Sequence, residues 1–189
     1  MFPSSRIAGA AWLAVASMLC TAALHSQVHE HGVAEIGIAI EGTTAQVELT
    51  APAGAIVGFE HEARTAADKT RQADAFARFK NSVRSMFQFQ EALGCDMRAL
   101  KVDMAGEHEH GDAGHTHNAG EAIDHVHDHT DIRALIDVRC KLPVKGSTLR
   151  FAVKTVFPEL QTLRVQVVGD DFQTGAELRG GRDSVKLGR

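Results

Sequence analysis

The sequence predicts an α+β fold: an antiparallel β-sheet with one long amphipathic helix packed on a face, and a disordered His-rich loop. Three observations predict it. Apolar and polar residues alternate from Glu35 to Leu49, the period of strands with one buried face. Aromatic and aliphatic residues then recur at helical spacing from Phe76 to Phe87. Two strand-like segments, 95–104 and 131–140, flank a run with almost no large apolar side chain. Strands segregated from a single helix make the α+β class.

A chain of 189 residues suits one domain with an appendage. Its apolar share of 44 % is enough for a core. The net charge of −4 and the lack of a Lys/Arg cluster exclude nucleic acid as a partner.

The first residues read as a secretory signal. Arg6 precedes the apolar stretch "IAGAAWLAVASMLCTAAL" from Ile7 to Leu24. Small residues allow cleavage after Ala23 (Thr21 at −3) or after Ser26 (Leu24 at −3). Polar, His-bearing sequence follows directly, with no basic stop-transfer flank. That favours a cleaved signal over a membrane anchor, leaving no span in the mature chain. Cys20 follows Leu19, a poor residue before a lipidated cysteine. The expected organisation is a signal peptide over 1–26 and a single α+β metal-binding domain over 27–189, with a His-rich insertion at 107–129. Cys95 and Cys140 then remain, an even count that favours a disulfide in an exported protein.

Along the mature chain, "VHEHGVAEIGIAIEGTTAQVELTAP" predicts a β-hairpin. Ile36, Ile38 and Ile40 share one face, and Val47 and Leu49 continue the pattern after the turn "EGTT". Extending that parity upstream puts His29 and His31 on the side of Glu35. "APAGAIVGFEHEART" is a loop, and Thr65 with Asp68 makes a capping box with Asp in place of Glu. The helix is expected from about Ala66 to Leu93, with Phe76, Phe79, Val83 and Phe87 as its core stripe and Gly94 as its stop.

The segments 95–104 and 131–140 are expected to pair antiparallel. If Met104 pairs near Ile132, Cys95 falls near Lys141, beside Cys140, at the end of the ladder away from the histidines. "TLRFAVKTVF" (148–157) and "TLRVQVVG" (162–169) predict two further strands separated by a turn at Pro158. Short strands near "AELR" and "SVKL" finish the sheet.

The stretch "EHEHGDAGHTHNAGEAIDHVHDH", Glu107 to His129, carries seven of the eleven histidines. Gly, Asp, Glu, His and Asn cannot offset ordering entropy by burial. A loop this long is usually functional or disordered. His108/His110, His115/His117, His125/His127 and His127/His129 are H-x-H pairs, and Glu107, Glu109, Asp112, Asp124 and Asp128 add oxygen donors. Such pairs on a flexible chain can wrap onto one cation, and this composition points to divalent metal binding. Neutral imidazole suits Zn(II), and it binds Cu(II) or Ni(II) as well. Occupancy should fall in acid, because histidine titrates at about pH 6.5.

His29, His31 and His61 form a second candidate set. Loops at the same end of the sheet would bring them together, with Glu60 or Glu62 completing a fixed metal site. Catalysis is not expected. There is no H-E-x-x-H, since "HEART" at His61 lacks the second histidine, and no G-x-S-x-G elbow or phosphate loop occurs.

"HEHGVAEIGIAIEG", "APAGAIVGFEH", the "GC" at Gly94–Cys95, the acidic His-rich insertion, a second cysteine before another strand and "VFPELQTLRVQVVG" occur in this order. Together they resemble the ZrgA-like family of periplasmic zinc-binding proteins, over nearly all of the mature chain. The resemblance implies zinc uptake in a Gram-negative periplasm, beside an ABC-type zinc importer or its periplasmic binding protein. By resemblance His29, His31 and His61 match recurring histidines, and Cys95 and Cys140 match the paired cysteines. The insertion matches in character rather than residue by residue. The expected function is a zinc-binding accessory protein that captures Zn(II). The alternative is a periplasmic buffer for excess zinc, copper or nickel.

Overall fold

The computed structural model describes residues 30–105 and 130–188. The expected disordered loop and signal peptide lie outside them. β1 (Val33–Glu41) and β2 (Thr44–Pro52) form the expected hairpin. Ile36, Ile38 and Ile40 face inward opposite Leu49, Val47 and Ala45. Gly42 turns the chain at φ 55°, a conformation that costs other residues more.

α1 (Ala53–Val57) is one short turn after β2, closed by Gly58 at φ 86°. α2 (Ala66–Met86) starts at the predicted capping box. The Asp68 N–H donates to Thr65 Oγ1 at 3.1 Å, and the Thr65 N–H donates to Asp68 Oδ2 at 3.2 Å. Ala75, Phe79, Val83 and Met86 line its buried side, spaced by three and four residues.

The helix is shorter than expected. It ends at Met86, and Phe87–Phe89 form β3. "FQF" has strand period, and strand geometry buries Phe87 edge-on against Phe151, with ring centroids 6.0 Å apart. Gly94, at φ 58°, therefore closes a 3₁₀ turn at Glu91–Leu93 rather than the long helix.

β4 (Asp96–Ala105) and β5 (Asp131–Arg139) pair antiparallel as expected, and Met104 stands opposite Ile132, the register supposed above. "TLRFAVKTVF" is not one strand. It divides into β6 (Thr148–Phe151) and the single turn α3 (Val153–Val156). A helical turn lets Val153 and Phe157, four residues apart, both enter the core, where a strand would also align them but without the sharp return. Phe157 stacks on Phe79 of α2 at 6.0 Å, and Arg78 covers its ring at 5.1 Å.

β7 (Thr162–Gly169) follows, then β8 (Phe172–Arg179) and β9 (Ser184–Lys186). The main sheet runs β4-β5-β2-β1-β7-β8, and β3-β6-β9 form a second, three-stranded sheet. The expectation of a purely antiparallel sheet is corrected here: β7 pairs parallel with β1, Val33 opposite Thr162 through Ala39 opposite Val168. The chain leaves the main sheet for β6 and returns through α3, so β7 enters from the same end as β1. Period-two alternation is identical in both pairings and carries no sign of the direction.

The core lies between the main sheet's inner face and the layer formed by α2, α3 and the small sheet. Leu49, Ile136, Leu163, Phe79, Leu149 and Leu160 are among its fully buried residues. The outer face carries Glu35, Glu48, Arg133, Arg164 and Glu177, so one side of the sheet packs and the other meets water. Among the described residues, no helix is long and apolar enough to cross a membrane.

Candidate metal centre

The parallel pairing of β1 and β7 collects several chain ends at one rim. β1, β5 and β7 begin there, and β2, β4 and β8 end there. Asp131 faces Pro52 on one side and Ala105 on the other. The Ala53 N–H donates to the Thr130 carbonyl at 2.9 Å. The insertion's junction at Thr130 therefore sits beside α1, and the one at Ala105 lies a strand further along the same rim. The disulfide Cys95–Cys140 closes the opposite end of the β4–β5 ladder, as expected.

His31 stands just before β1. The strand does not extend back to it, because Gly32 turns at φ 75°, so parity with Glu35 does not set its direction. The Gly32 carbonyl accepts from the Gln161 N–H at 2.7 Å and the Thr162 N–H at 3.0 Å, which ties this turn to β7. A Cβ on Gly32 would come within 3.1 Å of the Glu159 carbonyl. Glu30 is held separately. Arg164 of β7 bonds Glu30 and also Glu35 at 3.2 Å. Glu30 and then Glu35 hold the Arg164 guanidinium's proton more firmly than usual.

After α1 the chain passes through "FEHEAR" to the cap of α2. Phe59 packs against the core, and His61 stacks on it at 4.9 Å. His61 Nδ1 lies 2.9 Å from the Glu62 carbonyl oxygen, and the Glu62 carboxylate takes Arg64 at 3.1 Å. The Asp68 carboxyl is held below the usual carboxylate range. The Thr65 hydroxyl bond is the chief cause, followed by the Thr65 N–H, with the charges of His61 and Arg71 adding less. His61 thus lies within electrostatic reach of the helix start.

Glu60 points the other way. Its Oε1 lies 3.3 Å from His31 Nδ1, and its side chain is 29 % exposed against 77 % for His31. The two residues border a shallow pocket of about 470 Å³ with Gly32, Pro52, Gly54 and Gln161.

The described residues thus bring His31 together with Glu60 and place His61 in the same loop as Glu60. They contain no ready group of three or more His, Cys, Asp or Glu positioned as metal ligands. His29, His108, His110, His115, His117, His125, His127 and His129 lie outside the described residues. Sequence reasoning offered Glu60 and Glu62 as equals, and the geometry separates them. It missed Arg164 and Gly54, whose roles depend on the parallel pairing and on a close side-chain approach that have no local signature.

A neutral imidazole beside a carboxylate is the chemistry of a borderline cation site, and the junctions of a segment rich in such groups lie at the same rim. No curated protein matches the chain. One family model does, over residues 28–187, a span that takes in both sheets, the disulfide, the rim and the His-rich insertion. It is described as ZrgA family zinc uptake protein, and the chain belongs to that family.

Proposed function

We propose that this protein is an exported, periplasmic zinc-binding accessory protein. It captures Zn²⁺ and raises its local concentration for an ABC-type importer or that importer's binding protein. It acts by binding, without catalysis. Membership of a zinc uptake family supports the metal. The observation that carries the mechanism is the shared rim: the junctions of the insertion at Ala105 and Thr130 stand at the same sheet end as His31 and Glu60.

On this reading, the seven histidines of 107–129 collect the ion through exchangeable H-x-H pairs. His29, His31 and His61 then offer it further nitrogen ligands. Flexible ligands release metal readily, which suits transfer better than storage. A resident catalytic or structural role would instead need a closed or three-ligand site on rigid elements.

The test is a competition titration of the oxidised protein with Zn²⁺, Cu²⁺ and Ni²⁺ near neutral pH. The 107–129 deletion and a His29/His31/His61→Ala variant run beside it. The expected result is that stoichiometry falls in the deletion while one zinc site survives there and vanishes when the three histidines are also replaced. Unchanged stoichiometry in the deletion would remove the capture role from the insertion. Loss of all binding with the insertion would reduce the folded domain to a scaffold.

A further inference from the structure

We infer that the open edge of β8 is an interface for a second copy of this chain: two β8 strands pair antiparallel about a two-fold axis at Gly175 and join two main sheets into one. The inference concerns the sheet edge opposite β4 and does not rest on zinc.

The main sheet has two edges, β4 and β8. An edge strand presents unpaired N–H and C=O groups, which invite another strand unless the edge is broken or charged. β4 is guarded in both ways. Its ladder shifts at Leu100, and Asp96, Arg98, Lys101 and Asp103 lie along it. β8 has no such guard. Its register against β7 is regular throughout, from Phe172 opposite Gly169 to Arg179 opposite Thr162. Its first half, Phe172 to Ala176, carries no charge.

The direction of its free groups follows from the turn. Asp170 and Asp171 form a two-residue loop, so Gly169 and Phe172 are a hydrogen-bonded pair. Alternate residues then bond to β7, namely Phe172, Thr174, Ala176 and Leu178. Gln173, Gly175 and Glu177 direct their N–H and C=O to the open side, and among the described residues no other backbone group bonds them. A cleft of about 620 Å³ beside Phe172, Gln173 and Thr174 separates this strand from Lys186 and Gly188, so the small sheet does not cover it.

The sequence of β8 suits its own copy. With Gly175 on the axis, Gln173 faces Glu177 of the second copy and Asp171 faces its Arg179, each pair occurring twice by symmetry. On the inner side Phe172 faces Leu178 and Thr174 faces Ala176. Phe172, Thr174 and Ala176, half-buried in the single chain, thus gain cross-strand neighbours. A shift of two residues one way sets Asp171 against Glu177, and the other way leaves Arg179 opposite Gln173. Charge therefore selects the register, since like charges directly opposed repel. The two-fold puts the two rims at opposite ends of the joined sheet, so pairing leaves each clear of the other.

The test is sedimentation equilibrium of the whole oxidised protein across the micromolar range, with chelator present so that no metal bridges the histidines. The expected result is a reversible monomer–dimer equilibrium. Gly175→Pro removes an N–H that serves only the open side and should yield a monomer. Gly175→Ala, whose Cβ meets only the Val165 carbonyl at 3.7 Å in the single chain, should still dimerise. Circular dichroism shows whether the proline variant keeps its fold. The charge pair gives an independent reading that does not need that variant. Arg179→Glu should raise the dissociation constant about tenfold, because the altered pair occurs twice, and adding Asp171→Lys should restore it.

A monomer at every concentration would overturn the inference and leave the edge to an extended segment of another protein. A dimer that a folded Gly175→Pro leaves intact would overturn it by placing the contact on another surface. An Arg179→Glu loss that Asp171→Lys does not restore would overturn the register and with it the self-complementarity.

Discussion

Cys95 stands opposite Cys140 because Leu100, between them and the rim, bulges out of β4. Ala99 faces Ile136 and Lys101 faces Leu135, so the intervening residue has no partner. The ladder from Met104–Ile132 shifts by one place at that point. Without the shift, Cys95 would meet Lys141. The bulge also changes parity. Met97 and Ala99 pack against the core below it, and Val102 and Met104 above it, while Leu100 is 48 % exposed.

The Leu100 side chain itself adds little to the core. Leu100→Ser should change stability by no more than about 0.5 kcal/mol. Deleting Leu100 would set Lys101 directly after Ala99, restore strict alternation and keep both inward sets inward, so it should be tolerated as well. Urea unfolding of the two variants, with a thiol count on each, checks both statements. A loss of more than about 2 kcal/mol in the deletion alone would show that the bulge itself is needed.

Cys95 and Cys140 are separated by 45 residues. Closing a loop of that length is worth about 4 kcal/mol in the chain-entropy model. A Cys95/Cys140→Ser double variant should lose stability approaching that amount, and the native protein should lose it under reduction. Reducing agent should leave the unfolding midpoint of the double variant unmoved.

The deletion of 107–129 should fold. Its two junctions are already neighbours, since Ala105 faces Asp131 and Met104 faces Ile132, so a short turn can replace the insertion. Shortening a loop also reduces its closure entropy. Circular dichroism and thermal unfolding of the deletion should match the parent or improve on it. A collapse of structure would mean that the insertion belongs to the folding unit.

Thr65→Ala removes the cap of α2 and should cost about 1 kcal/mol at neutral pH. The effect has a defined pH dependence. The Asp68 carboxyl is lowered in the folded protein, chiefly by the Thr65 hydroxyl. Its contribution is therefore full above the unfolded value and is lost as pH falls through the folded one. The gap between the native chain and Thr65→Ala should narrow as pH drops below about 4, and the part due to the Asp68 N–H bond to Thr65 Oγ1 should remain. A gap that stays constant well below that pH would show that the cap acts without the carboxylate.

Arg164→Ala releases Glu30 and Glu35 together. The guanidinium is 38 % exposed, and ion pairs screened by water contribute little to stability, so the fold should survive. The local effect should be larger. Amide exchange at Gly32 and Val33 should quicken, and zinc should bind the His29–His31 segment more weakly. Gly32→Ala should do the same by a different route, since φ 75° and the nearby Glu159 carbonyl both oppose a side chain. Unaltered zinc binding in both variants would show that the anchoring of this turn is irrelevant to the metal.

Much of this protein is written in local pattern. Alternation at Ile36, Ile38 and Ile40 sets the inner face of β1, Thr65 and Asp68 mark the start of α2, and the pairing of β4 with β5 follows from their two inward faces. The density of His, Asp and Glu in 107–129 points to a divalent cation by chemistry alone, whatever fold surrounds it. These features are legible because each depends on residues a few positions apart. The rest depends on contacts between distant segments. The parallel entry of β7 beside β1, the one-residue bulge at Leu100, the break of 148–157 into β6 and α3, and the end of α2 at Met86 were decided by how the core closed. The approach of Glu60 to His31 across Gly54 was decided in the same way. A side chain's partner is fixed only when the backbones that carry it are packed, and that packing minimises the free energy of the whole chain rather than of any one stretch.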